Sequence, residues 1–484
     1  MSTPDQTRPD HRLTRAQQLA VTELMRVSPI ADEIGRRFTA AGHQLYLVGG
    51  SVRDALLGRL GHDLDFCTDA NPEKVLELVT GWAEAIWTTG IEFGTVGVSK
   101  HGLQLEITTF RTESYDRQSR NPQVTYGTTV QGDLSRRDFA VNAMAVSVPQ
   151  HEFTDPYDGL ADLAARRLRT PGAPDDSFLD DPLRMLRAAR FVSQLGFEPA
   201  PEVVASIERL ASEIDRITAE RVREELVKLV MGADPVIGLR LLVDTGLAER
   251  VLPELPGMRM EIDEHAQHKD VYEHSLTVLK QAIDLEEDGP DLVLRLAALL
   301  HDIGKPATRR TEPGGKVSFH HHEVVGAKMV RKRLRALRFS KETTEQVANL
   351  VFLHLRFHGF GRGEWTDSAV RRYVTDAQDL LPRLHKLVRS DCTTRNRRKA
   401  ERLARDYDAL EERITVLRAQ EDLDRVRPDL DGNAIMALLG LQPGPLVGKA
   451  WKHLKDVRLD RGPLSHEDAE AELRQWAAEQ GIGE

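Results

Sequence analysis

The chain has 484 residues, of which 40% are hydrophobic and 29% are charged, and its formal net charge at pH 7 is −10. This length predicts roughly two to four domains of about 100 to 200 residues each. No apolar run reaches about 18 residues, so we expect no membrane-spanning helix, and the negative net charge excludes a uniformly basic surface for nucleic acid.

The first residues and the cysteines indicate the cellular compartment. The segment MSTPDQTRPDHRLTRAQQ is polar throughout and lacks the apolar stretch of a secretory signal peptide. Two cysteines, Cys67 and Cys392, are too few for a disulfide framework, which fits a reducing compartment. These features predict a cytoplasmic protein.

Short apolar strands alternate with helices in the first third of the chain. An amphipathic helical segment at about 13–42 comes first. Five strand patterns follow it: QLYLVGG, DLDFCT, GTVGVSK, LQLEITTF and AMAVSV. From about residue 178 the apolar residues recur at helical spacing, as in LRMLRAARFVSQLGF and ERVREELVKLV. We therefore predict an α+β fold, with an N-terminal mixed sheet and helices followed by an all-α remainder.

Clusters of Pro and Gly at 252–258, 311–316 and 427–433 interrupt the helical pattern. Together with the change from strands to helices, they predict five regions. These are a helical lead (1–42), a sheet-containing head (43–177), a helical neck (178–262), a histidine-rich helical domain (263–400) and a helical C-terminal region (401–484).

A glycine loop follows the first predicted strand. The segment LVGGSVRDALLG is typical of a strand, two glycines and a helix that begins near Ser51. Gly49 and Gly50 allow backbone N–H groups to approach phosphate oxygens, and a helix N-terminus favours anions. Arg53 adds a positive charge. An ordinary strand-to-helix turn is the alternative, but together with the acidic pair downstream the pattern predicts a phosphate-binding loop.

Asp63 and Asp65 lie two residues apart on the predicted strand DLDFCT, so their side chains leave the same face. Two carboxylates with substrate phosphates are the usual ligands of Mg²⁺. The pair therefore predicts a Mg²⁺ site for transfer of a nucleotidyl group from a nucleoside triphosphate. Surface charges in a turn are the alternative, since Asp is common in turns.

Further polar residues occur in the next two apolar segments. Glu106 lies on the apolar strand LQLEITTF, where a charge is unusual unless it is paired or binds metal, so we predict a third carboxylate. An edge-strand glutamate that faces solvent is the alternative. The segment RRDFAVNAM places Arg136, Arg137 and Asp138 at the start of an apolar run, and a solvated helix start would also explain it.

In DDPLRMLRAARF, Asp181 and Arg184 are three residues apart, so on a helix they share one face. An aspartate accepts hydrogen bonds and an arginine donates them, so the pair mimics an edge of a templating base. Cytosine and adenine complement this edge, whereas guanine and uracil oppose it at both positions. Arg187 and Arg190 continue the same face, where we expect them to contact phosphates. A salt-bridged helix surface is the alternative.

Residues 265–400 contain several histidines and aspartates on separate predicted helices. They are His274, His301 and Asp302 in LLHDIGK, the run HHHE at 320–323, His354, and Asp391. Mixed imidazole and carboxylate ligands favour a transition metal such as Mn, Ni, Fe or Zn over Mg. We expect His274, His301, Asp302 and Asp391 to hold it. Structural histidines and an accidental surface run are the alternatives.

The segments GGSVRD, DLD, RRDFAVNAM, DPYDGLADL and DDPLRMLRAARF, in this order and spacing, resemble the bacterial tRNA nucleotidyltransferase and poly(A) polymerase family, class II, over 44 to about 230. The resemblance implies a nucleotidyltransferase head in which Asp63 and Asp65 carry the catalytic Mg²⁺. It also implies nucleotide contacts by Gly50 and Arg53, ribose and triphosphate contacts by the motif at 136–142, and base selection by the pair at 181 and 184. The motif residues are Arg136, Arg137, Asp138 and Asn142. The family most often has Glu where this chain has Asp180, a conservative departure, and Glu106 matches less firmly.

The histidine-rich region resembles an HD phosphohydrolase domain, which implies a metal and leaves open whether it is active as a hydrolase. The segment DLDGNAIMALLGLQPGPLVGKAWKHLKD resembles the RNA-facing C-terminal part of HD-bearing members of the family. Enzymes of this family that stop after CC lack much of the polar loop between Glu106 and RRDFAVNAM, so its presence here favours addition of the terminal A.

The resemblance therefore implies an enzyme that adds C, C and A from CTP and ATP to the 3′ end of tRNA without a template, with Mg²⁺ as cofactor. A poly(A) polymerase is the alternative within the family. An HD phosphohydrolase with a degenerate head and a non-enzymatic RNA-binding scaffold are alternatives outside it. The phosphohydrolase is disfavoured by intact Asp63, Asp65, Asp181 and Arg184, and the scaffold would not need both carboxylates and their phosphate loop. The oligomeric state is left open.

Overall fold

The computed structural model describes residues 29–59, 61, 63–114, 123–260, 270–314, 317–357, 365–394, 396–421 and 426–482. The chain divides into two compact units between Arg250 and Val251. Of the helical segment expected at 13–42, the part before residue 29 lies outside the described residues, and helix α1 (Pro29–Ala40) occupies the rest.

The first unit is built on a seven-stranded mixed sheet with the strand order β3-β4-β5-β2-β1-β8-β9. Strands β2 and β5 pair in parallel, and the other neighbours pair antiparallel. The sheet strands are β1 (Leu45–Val48), β2 (Asp63–Thr68), β3 (Ala85–Trp87), β4 (Thr95–Lys100), β5 (Leu103–Thr109), β8 (Ala145–Ser147) and β9 (Phe153–Thr154). Outside the sheet, β6 (Arg111–Ser114) pairs with β7 (Gln123–Tyr126), and β10 (Arg167–Leu168) pairs with β11 (Glu198–Pro199).

Helices surround this sheet and then make up the rest of the first unit. They are α2 (Gly50–Leu56), α3 (Pro72–Val79), α4 (Val130–Ser135), α5 (Gly159–Ala165), α6 (Pro174–Asp180), α7 (Leu183–Leu195), α8 (Pro201–Leu210), α9 (Ala219–Val230), α10 (Pro235–Asp244) and α11 (Ala248–Val251). Helix α3 shows how the sequence sets a boundary, because Asn71 accepts a hydrogen bond from the Lys74 amide and Pro72 occupies the first turn.

The second unit is helical apart from one two-stranded ribbon, β12 (Arg310–Thr311) with β13 (Val317–Ser318), in the residues described. Its helices are α12 (Glu254–Gly257), α13 (Val271–Ile283), α14 (Leu292–Leu300), α15 (Lys305–Thr308), α16 (His322–Ala336), α17 (Lys341–Leu353), α18 (Asp367–Ala377), α19 (Leu381–Ser390), α20 (Arg397–Gln420), α21 (Gly432–Leu439), α22 (Pro445–Arg461) and α23 (His466–Glu479). A separate small core joins the last three, where Ile435, Leu454 and Leu473 are buried.

The α+β prediction is confirmed, and each of the five strand patterns contains a strand of the sheet. Strands β3 and β9 were not predicted, since they are only three and two residues long. The five regional boundaries remain predictions. Cys67 and Cys392 are free thiols. In the part of the chain that the structure describes, no helix combines the length and the apolar character needed to span a membrane.

A glycine sets the packing of α10 against α7. A Cβ atom at Gly238 would lie 2.5 Å from the Ala189 carbonyl oxygen and 3.1 Å from the Ser193 Cβ. Such distances are too short for van der Waals contact, so the backbones of the two helices approach closely only because residue 238 lacks a side chain. The position of α7 therefore depends on this contact.

We predict that Gly238→Ala lowers the free energy of unfolding by about 1 to 3 kcal/mol, because the added methyl group forces the two helices apart. Urea unfolding of the full-length chain measures the change. Gly172→Ala is the matched control, since nothing lies within 4 Å of a Cβ at that position. Equal stability of the two variants would contradict the close-packing argument.

Candidate functional site

The predicted carboxylates lie on adjacent central strands. Asp63 and Asp65 lie on β2, and Asp65 pairs in register with Glu106 on the parallel neighbour β5. Residues paired in this way present their side chains to the same face of a sheet, while Leu64 and Phe66 between and beyond the aspartates are buried. Strand β5 lies between β4 and β2, so the alternative of an edge-strand glutamate is wrong.

Burial raises the pKa of Asp65, and the nearby Glu106 and Asp63 raise it further, whereas Arg137 lowers it. The net shift is upward, because a negative charge at this position is poorly solvated and faces two other carboxylates. A cation placed among the three would offset this repulsion. The donors are all carboxylate oxygens, which fits a hard cation such as Mg²⁺.

The glycine loop connects β1 to α2 and contacts the acidic strand β2. Gly49 has φ 70°, a left-handed conformation that glycine adopts without strain. A Cβ there would lie 2.7 Å from the Arg137 guanidinium and 3.8 Å from Asp65 Oδ2. Ser51 Oγ accepts a hydrogen bond of 2.9 Å from the Asp65 amide, so the loop also fixes the acidic strand. Gly50 is the first residue of α2.

The motif at 136–142 supplies arginines and the buried groups that hold them. Arg137 donates to Asp133 Oδ2 at 3.1 Å, and Arg136 lies 3.6 Å from the other carboxylate oxygen of Asp133. Burial lowers the pKa of Arg137, but Asp133 and Asp65 reverse this effect and raise it. Asp133 itself is buried. The solvated helix start considered for this motif is therefore wrong.

Asp138 and Asn142 form the centre of a second hydrogen-bond network. Asn142 donates from Nδ2 to Asp138 Oδ1 at 2.8 Å and accepts at Oδ1 from Arg53 at 2.6 Å. Arg187 donates to Asp138 Oδ2 at 3.3 Å. Burial would raise the pKa of Asp138, but Arg187, Asn142 and Arg184 together lower it. The network fixes Arg53 and Arg187 in position before any ligand arrives.

Most of these groups line one cavity of about 630 Å³ in the first unit, whereas Ser51 and Asp63 are not part of its lining. Its described lining contains eight arginines and five carboxylates. The arginines are Arg53, Arg111, Arg136, Arg137, Arg184, Arg187, Arg190 and Arg221, and the carboxylates are Asp65, Glu106, Asp133, Asp138 and Asp181. Arginine favours recognition of phosphate groups because its guanidinium presents several donors in one plane. The excess of arginines suits a polyphosphate, and the carboxylates on one wall suit its metal.

Asp181 and Arg184 both line the cavity, but they do not share a helix as predicted. Helix α7 begins at Leu183, and Asp181 has an extended backbone with φ −137°. The reason is Pro182, since the residue before a proline is disfavoured in the α conformation. The geometric premise of the prediction was therefore wrong, although the two side chains still reach one cavity.

Each member of this pair has a protein partner. Asp181 Oδ2 accepts from Arg221 at 3.1 Å, and its Oδ1 accepts from the Leu183 amide at 3.2 Å. Arg184 donates to Ser177 Oγ at 2.8 Å and to the Arg136 carbonyl oxygen. These contacts leave further N–H groups on Arg184 and further lone pairs on Asp181, because a guanidinium has five donors and a carboxylate about four acceptor positions.

Arg187 and Arg190 follow on the same face of α7 and share a buried acid. Glu225 on α9 is 4% exposed and lies 2.9 Å from Arg190 Nη1 and 3.6 Å from Arg187 Nε. Arg190 also lies over the Phe191 ring, 4.3 Å from its centroid. The protein thus neutralises part of the positive charge on this face.

Sequence reasoning missed three of the residues that organise this cavity. Asp133, Arg221 and Glu225 pair with predicted site residues, yet each occurs in a segment without a recognisable motif. Glu225 offered one signal, since in ERVREELVKLV it falls on the apolar face with Val222, Leu226 and Leu229. A charge on that face predicts a buried partner.

The second unit brings its predicted metal ligands together. His274 Nε2 lies 2.9 Å from Asp391 Oδ1, 3.2 Å from His301 Nε2 and 3.4 Å from Asp302 Oδ2. His301 Nε2 lies 3.3 Å from Asp302 Oδ2. His301 Nδ1 is 2.8 Å from the Ala298 carbonyl oxygen, a contact that sets the orientation of the ring. The donor set fits a divalent transition metal.

The buried histidines and aspartates of this cluster shift one another's pKa values. Burial lowers the pKa of His301, but Asp302 and Asp391 outweigh this effect and raise it to about 10. Burial and the neighbouring His301 lower the pKa of His354 to about 3. Burial would raise the pKa of Asp391, but His274 and His301 hold it well below its usual range. The buried acids thus require compensating positive charge.

Comparison with known proteins places three family models along the chain. The model described as "Poly A polymerase head domain" matches residues 45–169, and "Probable RNA and SrmB- binding site of polymerase A" matches residues 196–258. The model "HD domain" matches residues 271–391.

Curated relatives of this chain include A-adding, CC-adding and CCA-adding enzymes. An A-adding tRNA nucleotidyltransferase of Deinococcus radiodurans is 34% identical over 90% of this chain and 95% of its own length. A CC-adding tRNA nucleotidyltransferase of Thermus thermophilus is 34% identical over 89% of this chain and 93% of its own. A CCA-adding enzyme of Latilactobacillus sakei is 40% identical over 50% of this chain, and the match spans 58% of that enzyme.

Solved structures share the fold. The CCA-adding enzyme of Bacillus stearothermophilus in complex with CTP superimposes with a TM-score of 0.66 at 23% identity, over 97% of this chain and 99% of that one. A Thermotoga maritima CCA-adding enzyme complexed with tRNA has a TM-score of 0.56 at 18% identity, over 94% and 98% of the two chains.

We predict that Glu225→Gln destabilises the chain by about 3 kcal/mol or more, because Arg190 loses its charge partner in a buried site and, among the described residues, Arg187 keeps only Asp138. Urea unfolding measures the loss. Glu213→Gln is the control, since Glu213 pairs with Arg216 at the surface and its side chain is 33% exposed, and we expect a loss below about 1 kcal/mol. Similar small losses in both variants would contradict the assigned role of Glu225.

Proposed function

Because this chain belongs to the tRNA nucleotidyltransferase family, with 34% identity to a member across 95% of that member's length, we propose that it adds C, C and A to the 3′ ends of tRNAs from CTP and ATP. The observation that carries the proposal is the cavity in which three groups meet: the strand carboxylates Asp65 and Glu106, the arginines, and the pair Asp181 and Arg184. The partners are then tRNA, CTP and ATP, and the cofactor is Mg²⁺.

In this proposal Asp63 and Asp65 hold Mg²⁺, with Glu106 beside them. The metal would neutralise triphosphate charge and the charge that develops on the leaving pyrophosphate. The chain orients the carboxylates through the parallel pairing of β2 with β5 and through the hydrogen bond from the Asp65 amide to Ser51. These contacts hold the acidic side chains in place before the substrate binds.

The triphosphate binds opposite the carboxylates. Gly49 and Gly50 bring the backbone near the phosphates, and Arg53 and Arg137 lie beside them, each fixed by a hydrogen bond to Asn142 or Asp133. Fixed donors lose little conformational entropy when a ligand arrives, which strengthens binding. Arg136, Asp138, Arg187 and Arg190 complete the wall that faces the ribose and phosphates.

Asp181 and Arg184 select the base. An acceptor next to a donor complements the amino group and ring nitrogen of cytosine or adenine, whereas guanine and uracil oppose like groups at both positions. Each unpaired polar group costs about 1 to 3 kcal/mol in a buried site. Support comes from the orientation of Arg184, because Ser177 and the Arg136 carbonyl oxygen hold its guanidinium in the cavity.

In the second unit we propose a transition-metal centre at His274, His301, Asp302 and Asp391, with phosphate esters as its substrate class. The distances among the four side chains and the match of the HD domain model to residues 271–391 support it. Metal analysis of the purified full-length chain tests this centre.

The experiment for the first unit is nucleotide addition to three forms of one tRNA, ending before CCA, after C and after CC. Full CCA addition requires extension of all three with CTP and ATP together. The relatives that add only CC or only A are equally similar to this chain, so partial addition is the natural alternative outcome. A chain that extends unrelated RNA with repeated A would instead be a poly(A) polymerase.

We predict that Asp65→Asn lowers the rate of CTP addition by about a thousandfold or more, since several kcal/mol of charge stabilisation depend on the metal. Primer-extension rates on tRNA measure it. Asp69→Asn, directly after the same strand, keeps the Oδ1 acceptor for the Gln44 amide and should retain the wild-type rate. Wild-type addition by Asp65→Asn would refute the metal assignment.

We predict that Asp181→Ala reduces discrimination against UTP and GTP by about 10- to 100-fold, because one of the two mismatched contacts disappears. The affinity for the triphosphate should change less. The measurement is kcat/KM for each of the four nucleotides. Asp176→Ala on α6 is the matched control, since Asp176 is exposed and does not line the cavity. Unchanged discrimination in Asp181→Ala would exclude it as a base-selecting residue.

A further inference from the structure

A row of paired residues crosses the sheet of the first unit through its acidic strands. Asp65 on β2 pairs with Glu106 on β5. Glu106 also pairs with Gly97 on β4, and Gly97 pairs with Trp87 on β3. Residues paired directly across neighbouring strands present their side chains to the same face of a sheet. The indole of Trp87 therefore lies on the face that carries the candidate metal-binding carboxylates.

The Trp87 ring lies across the neighbouring strand β4. A Cβ atom at Gly97 would lie 2.0 Å from both Cε2 and Nε1 of Trp87, so the ring fills the space that a side chain at residue 97 would need. Gly97 is buried, whereas Trp87 is half-buried. Since neighbouring strands are about 4.8 Å apart, the ring lies about one strand spacing from the backbone of Glu106.

The indole lies outside the nucleotide cavity but next to it. Among the strands of the sheet, the described lining of the cavity ends at β5, with Glu106 and Thr108. The glycine loop lies on the opposite side of the carboxylates, where a Cβ at Gly49 would be 3.8 Å from Asp65 Oδ2 and 2.7 Å from the Arg137 guanidinium. The carboxylates thus separate a phosphate-binding side from an aromatic side.

In the proposed function, the direction of nucleotidyl transfer decides what each side binds. The 3′-hydroxyl oxygen of the tRNA bonds to the α-phosphorus, the bond to the pyrophosphate oxygen breaks, and the hydroxyl proton leaves to solvent. The attacking and leaving oxygens lie roughly in line in such a transfer. Pyrophosphate leaves on the side of Gly49 and Arg137, so the 3′ end of the tRNA approaches from the side of Trp87.

We propose, as an inference that rests on the proposed function, that Trp87 stacks on the base of the 3′-terminal nucleotide of the tRNA and so positions its hydroxyl group at the carboxylates. An aromatic ring accepts any base, because every base has a π-face. This tolerance suits a tRNA whose last nucleotide changes with each addition. Asp181 and Arg184, in contrast, contact the incoming base through hydrogen bonds that discriminate.

Further aromatic side chains are exposed near this edge of the sheet. In the described part of the first unit, the exposed aromatic residues are Phe93, just before β4, and Tyr126. A Cβ at Gly94 would lie 3.1 Å from the Tyr126 ring and 3.9 Å from Cδ of Arg111, which lines the cavity. Exposed apolar surface beside a cation suits the bases and phosphates of a single RNA strand.

The kinetics of CTP addition to a tRNA that ends after C test the proposal. Trp87→Ala should raise KM for this tRNA about 10- to 100-fold, because one stacked base is lost, and should change KM for CTP less than about threefold. Ile86→Ala is the matched control, since Ile86 lies on the same strand and pairs with Val98, so its side chain leaves the opposite face. It should keep the wild-type KM for both substrates.

A tRNA whose terminal nucleotide lacks its base distinguishes stacking from support of the sheet. This RNA keeps its 3′-hydroxyl group, but it offers no base to Trp87. Trp87→Ala should therefore change KM for it less than about threefold, so that the two RNAs and the two proteins form a double-mutant cycle with a large coupling. Trp87→Phe keeps a π-face and should recover most of the loss on intact tRNA.

Binding without catalysis gives a second readout. The chain has five tryptophans, and intact tRNA added without a nucleotide should quench a part of their fluorescence that Trp87→Phe lacks. Circular dichroism confirms that each variant is folded. Loss of strand structure in Trp87→Ala would move the comparison to Trp87→Leu, which fills the space above Gly97 without a π-face.

The outcomes separate the stacking role from the proposed function. A KM that rises equally for intact and baseless tRNA in Trp87→Ala, or that stays unchanged for both, would overturn stacking while extension of tRNA by the wild type stands. A wild type that extends none of the tRNA forms would overturn the proposed function and the stacking role with it. A loss confined to intact tRNA, with recovery in Trp87→Phe, would support the role of Trp87.

Discussion

In a parallel strand pair, residues in register present their side chains to the same face, and the register of β2 with β5 puts Asp65 beside Glu106. The rest of the first unit is arranged around this concentration of negative charge. Arg137 approaches from the loop after α4, and the glycine at residue 49 leaves room for it. Without that guanidinium, burial would favour protonation of Asp65 still more strongly.

A second constraint is that the positive charges of the cavity arginines must be offset when no anion is bound. Asp133, Asp138 and Glu225 each neutralise arginines that line it, and all three carboxylates are buried. In the proposed function a triphosphate would meet guanidiniums that are already oriented, because buried carboxylates support them. This arrangement explains how a chain with a net charge of −10 can present an arginine-rich cavity.

Structural features that depend on the spacing of nearby residues could be predicted from the sequence. Alternation in DLDFCT predicted both the strand and the shared face of Asp63 and Asp65, and the five strand patterns identified most of the sheet. The sequence could not predict contacts between distant segments, such as Arg221 with Asp181, which are 40 residues apart. The prediction that Asp181 and Arg184 share a helix also neglected Pro182, which disfavours the α conformation at Asp181.

The break at Asp181 means that the spacing between Asp181 and Arg184 is not set by the pitch of a helix. A helix holds two residues of one turn at a fixed spacing. Asp181 instead has an extended backbone between α6 and Pro182, whereas Arg184 belongs to α7. Hydrogen bonds set their separation instead, because the Asp181 side chain accepts from the Leu183 amide and the Asp181 carbonyl oxygen accepts from the Arg184 amide. Arg184 also donates to Ser177 on α6. A displacement of α6 therefore acts on both members of the pair at once.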